Sequence, residues 1–73
     1  MTRHVITADI AGTVFKVETS MGAAVALGDA LIIVESMKME IPIEAPTAGT
    51  VTEMRVVEGD AIAEGQILAV IEG

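Results

Sequence analysis

Ala11-Gly12-Thr13-Val14 recurs as Ala48-Gly49-Thr50-Val51, a shift of 37 positions from residue 11 to residue 48, and that repetition decides how the chain is read. The match continues outward from it. With the same shift Gly22 falls on Gly59, Ala24 on Ala61, Ala26 on Ala63, Gly28 on Gly65, Leu31 on Leu68 and Glu35 on Glu72, while Val25 meets Ile62, Ile33 meets Val70 and Val34 meets Ile71. Glycines, apolar positions and their order all agree, which marks one supersecondary unit used twice.

The unit reads as strands. Met39, Ile41 and Ile43 alternate with Glu40, Pro42 and Glu44, the period of two of a strand with one buried face. Pro42 blocks a continued helix and, with no N–H to donate, is expected on an edge strand or at an unpaired position. Propensity alone allows a helix from Ala23 to Glu40, a stretch rich in Ala, Leu, Glu and Met. Gly28-Asp29 interrupts it, Leu31-Ile32-Ile33-Val34 is a short branched apolar run, and the matching Ile67 to Ile71 is bounded by Gly65 and Gly73, so strands are predicted instead. Gly12, Gly22, Gly28, Gly49, Gly59 and Gly65 are read as turns, giving about four short strands in each half. Val14 to Val17 and Val51 to Met54 step by three, which predicts a β-bulge in each half. Two halves that cannot each bury an apolar face should close on one another as an all-β, flattened barrel or sandwich of two four-stranded halves with pseudo-two-fold symmetry. Val25 and Ile62, and Ile33 and Val70, are then expected at equivalent buried sites.

Composition limits the chemistry. At 73 residues, residues 1–73 are expected to make one small domain. With no Cys, thiolate metal sites, disulfides and cysteine nucleophiles are excluded, and the single His4 cannot build a His-rich metal site. Phe15 is the one aromatic residue, so Val, Ile, Leu, Ala and Met carry the packing and there is no stacking platform for bases. A net charge of -7 repels phosphate backbones and anionic lipids, so neither nucleic acid nor membrane is expected as a partner. Apolar runs such as Ala30 to Val34 are far below the ~18 residues of a membrane span. Met1-Thr2-Arg3-His4 leads into no apolar signal segment, and with the lack of Cys this sets a cytoplasmic expectation.

The candidate site lies between the two copies. Glu35-Ser36-Met37-Lys38-Met39-Glu40 follows the last aligned residue of the first half and leads into the first strand of the second. Lys38 is one of two lysines, and a methionine on each side suits neither a core nor a solvated charged face. The other lysine, Lys16 between Phe15 and Val17, reads as an ordinary solvated charge. A tight turn at Met37-Lys38 would project the amine from one end of the barrel and leave the two termini near each other at the other. Neither residue is Gly, Asn or Asp, so a primed turn would store strain of order 1–3 kcal/mol at each.

Glu-Ser-Met-Lys-Met-Glu resembles the attachment sequence of biotin carboxyl carrier domains, with Ser36 where the family's commonest form has Ala. The resemblance runs from about Ala8 to Ile71. It implies the biotinyl/lipoyl barrel fold, biotin as a covalent cofactor joined to Lys38 by an amide, and a non-catalytic carrier that shuttles carboxyl between the biotin carboxylase and the carboxyltransferase of a biotin-dependent carboxylase. Met37 and Met39 would flank the site as recognition elements, and Glu35 and Glu40 would set solubility and recognition by biotin protein ligase rather than acid/base chemistry. Only about one free lysine amine in 2,500 is neutral at pH 7, so the ligase must supply both the base and the activated acyl group. The alternative is a lipoyl carrier domain of a 2-oxo-acid dehydrogenase complex, which shares the fold but typically places Asp before the lysine and Ala after it. A barrel-sandwich assembly module of a transporter adaptor is a third reading, without the Met-Lys-Met hairpin. Asp9-Ile10 in place of the common Pro-Met pair, Ala23 opposite Asp60, and the lack of a thumb-like insertion blur the subfamily.

Overall fold

The computed structural model describes residues 2–73. Eight strands follow in order: β1 (Arg3–Thr7), β2 (Gly12–Val17), β3 (Ala24–Val25), β4 (Ala30–Ser36), β5 (Met39–Glu44), β6 (Gly49–Met54), β7 (Ala61–Ile62) and β8 (Ile67–Glu72). The stretch Ala23 to Glu40 is strand and turn, as Gly28 and the branched apolar run require. All pairings are antiparallel, in two four-stranded sheets of order β1-β8-β6-β3 and β5-β4-β2-β7.

The 37-residue shift carries β1 to β4 onto β5 to β8, and so carries one sheet order onto the other. Neither half keeps to one sheet. β1 and β3 of the first half join β8 and β6 of the second, and β5 and β7 join β4 and β2. The connecting loops interlock as well: the Gly22 N–H donates to the Val51 carbonyl at 2.7 Å, and its mate Gly59 donates to Val14 at 2.8 Å. Two faces are thus buried together because each half supplies strands to both.

The core repeats the same symmetry. Ile6 and Ile43, Ala8 and Ala45, Val14 and Val51, Leu31 and Leu68, and Val34 and Ile71 are buried mates. Ile32 is matched by the smaller Ala69 and Val34 by the larger Ile71, and all four are buried, so the two copies fill the core with different side chains at these places. Burial of a side chain such as Leu31 or Leu68 contributes ~1.5–3 kcal/mol. Two expected equivalences are only partial. Ile62 is buried but Val25, one methylene shorter, is half-buried; Val70 is buried but Ile33 is half-buried. On the outer face Val70 pairs with Val5 and Glu53, where Glu53 is held by Arg3 at 2.9 Å and Arg55 at 2.8 Å. Ile33 sits instead between Pro42 and Lys16, which has a single 3.5 Å contact to Glu18.

The bulges are where the three-residue steps put them, between Val14 and Lys16 and between Val51 and Glu53. A second symmetric pair lies at Ala30/Ile32 and Ile6/Thr7. Pro42 is on β5, an edge strand, where its missing N–H breaks no ladder. Gly22, Gly28, Gly59 and Gly65 turn the chain at positive φ. Gly12 and Gly49 do not: both open strands, and close packing requires glycine there. A Cβ on Gly12 would stand 2.5 Å from the Glu35 carbonyl oxygen, and one on Gly49 would stand 2.6 Å from that of Glu72.

Candidate functional site: the Met37-Lys38 hairpin

The β4–β5 ladder runs through Ile33 opposite Pro42, Val34 opposite Ile41, Glu35 opposite Glu40 and Ser36 opposite Met39, which leaves Met37 and Lys38 alone as the turn. Ladder register on both sides forces a two-residue loop, and the right-handed twist of the strands favours a primed turn. Met37 takes φ 52° and Lys38 φ 65°, the positive pair of a type I′ turn. They are the two non-glycine residues with positive φ among the described residues. Sequence reasoning placed this turn and its strain. Left-handed backbone at a β-carbon-bearing residue costs about 1–3 kcal/mol, and the long ladder below the turn supplies the hold.

Exposure follows from this position. Lys38 is exposed, and among the described residues it forms no ion pair. Met37 is 89% exposed and Met39 is 63% exposed, so neither fills the core. Glu35 and Glu40 face one another on one side of the hairpin, both exposed. The structure therefore brings all five expected site residues into one hairpin. Lys16 lies apart on β2 beside Glu18.

One supporting residue was read as a turn marker instead. Gly12 starts β2 directly under Glu35, and only the absence of a side chain lets β2 approach the last residues of β4. Its signal was present in the repeat, because Gly49 holds the same relation to Glu72.

The symmetry mate of the hairpin is the meeting of the chain ends. Thr2 N–H donates to the Gly73 carbonyl at 2.8 Å and Gly73 N–H to the Thr2 carbonyl at 3.0 Å, the pairing that the two-fold assigns to Met39 and Ser36. The rest of each ladder is shared by the two places. A strained, exposed lysine turn is what distinguishes one from the other.

The model of a family described as "biotin-requiring enzyme" matches residues 3–71, nearly the whole of this barrel. The chain belongs to that family. Similar proteins share its sequence and its shape. A protein described as a biotinylated protein TB7.3 homolog from Mycobacterium leprae is 45% identical over 40 residues, which is 55% of this chain and 56% of that one. The crystal structure of urea carboxylase from Kluyveromyces lactis superposes with a TM-score of 0.91 at 29% identity over 99% of this chain. A single-chain, multi-domain long-chain acyl-CoA carboxylase superposes with a TM-score of 0.88 at 32% identity over 93% of it. The match spans about half the length of the curated relative, and this chain corresponds to 6% and 7% of the two carboxylases.

The residues of the hairpin fit covalent attachment of biotin, the cofactor of this family. Amide formation needs an amine that a ligase can surround, and Lys38 presents one on an exposed turn with no carboxylate paired to it. Among the described residues no group of three or more His, Cys, Asp or Glu is placed to hold a metal ion, and no helix is long and apolar enough to cross a membrane.

Proposed function

We propose that this chain is a non-catalytic carrier that holds biotin on Lys38 and moves carboxyl between the biotin carboxylase and the carboxyltransferase of a biotin-dependent carboxylase. One observation supports this above all others: the family-matched barrel presents a single lysine on a strained, exposed turn between two exposed methionines. Biotin protein ligase is the partner that loads it. Residues 1–73 act as one carrier domain, working in the cytoplasm.

When bound, biotin supplies a ureido nitrogen able to take up and give up a carboxyl group. Everything else is positioning by the chain. Lys38 Nζ would give up two of its three protons to the ligase's base, attack the activated acyl carbon that the ligase supplies and become the amide nitrogen as the bond from that carbon to its activating group breaks, which removes a positive charge from the tip. The β4–β5 ladder holds the attachment point at the end of a rigid barrel, so the two partner sites see a tethered reactant at high effective concentration instead of a diffusing one. Met37 and Met39 offer soft apolar contact on both sides of the lysine, adaptable enough to fit the ligase and two carboxylase sites in turn.

The test is intact mass after incubation with biotin protein ligase, biotin and ATP, followed by mapping of the modified residue. One biotin on Lys38, with none on the Lys38→Arg variant, is the expected result. Lys16→Arg should load as the wild type does. Lipoylation of Lys38 by a lipoate ligase, with biotin refused, would overturn the reading in favour of a lipoyl carrier.

A further inference from the structure

The chain has five methionines, and the four from Met21 onward differ widely in exposure. Met37 is 89% exposed, Met21 65% and Met39 63%, whereas Met54 packs against the core. Met37 is the most exposed large hydrophobic residue among those described. Two of the three open thioethers thus stand on either side of Lys38, in the same two-residue turn and its flanking pair.

We infer that Met37 and Met39 form a redox-modification site for peroxides, and that their conversion to sulfoxides shuts off acylation of Lys38. The inference rests on the proposed role of Lys38 as the biotin acceptor.

The chemistry needs no activation by the chain. A sulfur lone pair attacks one oxygen of hydrogen peroxide, the O–O bond breaks and an S–O bond forms. Sulfur gives up two electrons, and the departing oxygen takes a proton and leaves as water. Access governs the rate, so Met37 should react first and Met54 last. The product is a different surface. A thioether is a flexible apolar group, and its sulfoxide is polar, chiral and a strong hydrogen-bond acceptor. For the ligase to enclose the Lys38 amine it must also cover the side chains beside it, and a sulfoxide covered without a donor pays a desolvation penalty that a thioether does not. The fold should be indifferent, since neither residue lies in the core. Oxidation at this turn therefore changes what the tip can dock with and leaves the barrel intact.

The experiment treats the folded, unbiotinylated chain with hydrogen peroxide, maps sulfoxide at each methionine by mass, and measures the initial rate of biotinylation by the ligase. Sulfoxide should accumulate at Met37 first, at Met39 and Met21 next and at Met54 last. Biotinylation of the oxidised chain should fall by roughly tenfold, the effect of placing a polar group in an apolar contact, and methionine sulfoxide reductases should restore it. Each variant is compared with its own unoxidised form: Met21→Leu should remain sensitive, and a chain with both Met37→Leu and Met39→Leu should not. The inference is overturned if wild type carrying sulfoxide at both positions is biotinylated at the unoxidised rate, or if the double variant loses as much as wild type. Protection of Met37 and Met39 from peroxide would overturn it without any ligase measurement. An unoxidised chain that takes no biotin sinks the functional reading, and the link to acylation with it.

Discussion

Glu35 stands directly opposite Glu40 across the lysine hairpin, whereas the residues that the pseudo-two-fold puts in their places, Glu72 and Arg3, carry opposite charges. The inversion extends across both faces. Arg3, Glu53 and Arg55 form two ion pairs on one sheet, and their mates Glu40, Lys16 and Glu18 carry the reverse signs on the other. Like charges facing across a ladder oppose pairing, and here they add to the strain of a turn with two non-glycine residues at positive φ. The hairpin that offers the lysine is thus less stable than the same backbone needs to be. Local disagreement between sequence and backbone of this kind is expected at functional or strained sites.

Removing one of the two facing charges should stabilise the chain. Glu40→Gln is expected to add ~0.5 kcal/mol, or roughly 2–4 °C in Tm for a domain of this size. At about 1 M salt, where the Debye length falls to ~3 Å, most of the gain should vanish. Thermal melts at low and high salt check this, and a gain that is independent of salt would mean that charge repulsion is not its source.

Two substitutions at Met37 separate strain from recognition. Met37→Gly relieves the positive φ and should stabilise the fold by about 1 kcal/mol, while Met37→Ala keeps the strained φ and should change stability by less than ~0.5 kcal/mol because the side chain is exposed. Both should slow biotinylation. Denaturant unfolding and ligase kinetics on the same proteins give the answer; an alanine variant that loses several kcal/mol would show that Met37 packs into the core after all.

The repeat carried most of this architecture in plain view. It predicted eight strands, the bulges after Val14 and Val51 and the turn at Met37-Lys38, because each depends on local pattern and on the matching copy, while the missing N–H of Pro42 pointed to an edge or unpaired position and the structure has the edge. Exchange of β1 and β3 between sheets was not legible, since periodicity records which face of a strand is apolar and not which neighbour it pairs with. The partial exposure of Ile33 was hidden for a related reason. It lies on the outer face, and whether an outer-face residue is covered depends on side chains from other strands. Gly12 was misread because a glycine that admits a neighbouring carbonyl looks, in sequence, like one that turns the chain.

Gly12 and Gly49 offer a matched pair of probes. Adding a methyl group at either should cost about 1–3 kcal/mol by overpacking against a backbone carbonyl. Only Gly12→Ala pushes on Glu35, so it should also slow biotinylation of the folded fraction, whereas Gly49→Ala pushes on Glu72 and should leave the rate per folded molecule unchanged. Equal kinetic losses in the two variants would argue that the hairpin is not positioned through this contact.

Strand exchange leads to the most demanding prediction, one that holds whatever Lys38 carries. Residues 1–36 alone would keep the β2–β4 pairing but would lose β6 and β8, the partners of β3 and β1, together with β5 and β7, which flank β4 and β2. Residues 39–73 would lose the matching set. Each half would be left with a two-stranded ribbon, and such ribbons are marginal at best in water. Neither half should fold by itself, so both should lack amide dispersion and cooperative melting. Mixed together, they should recover both, because the two contributions to each sheet would again be present. A half that melts cooperatively as a monomer would show that its apolar face can be satisfied without the other copy, and the shared-core account of this barrel would have to be abandoned.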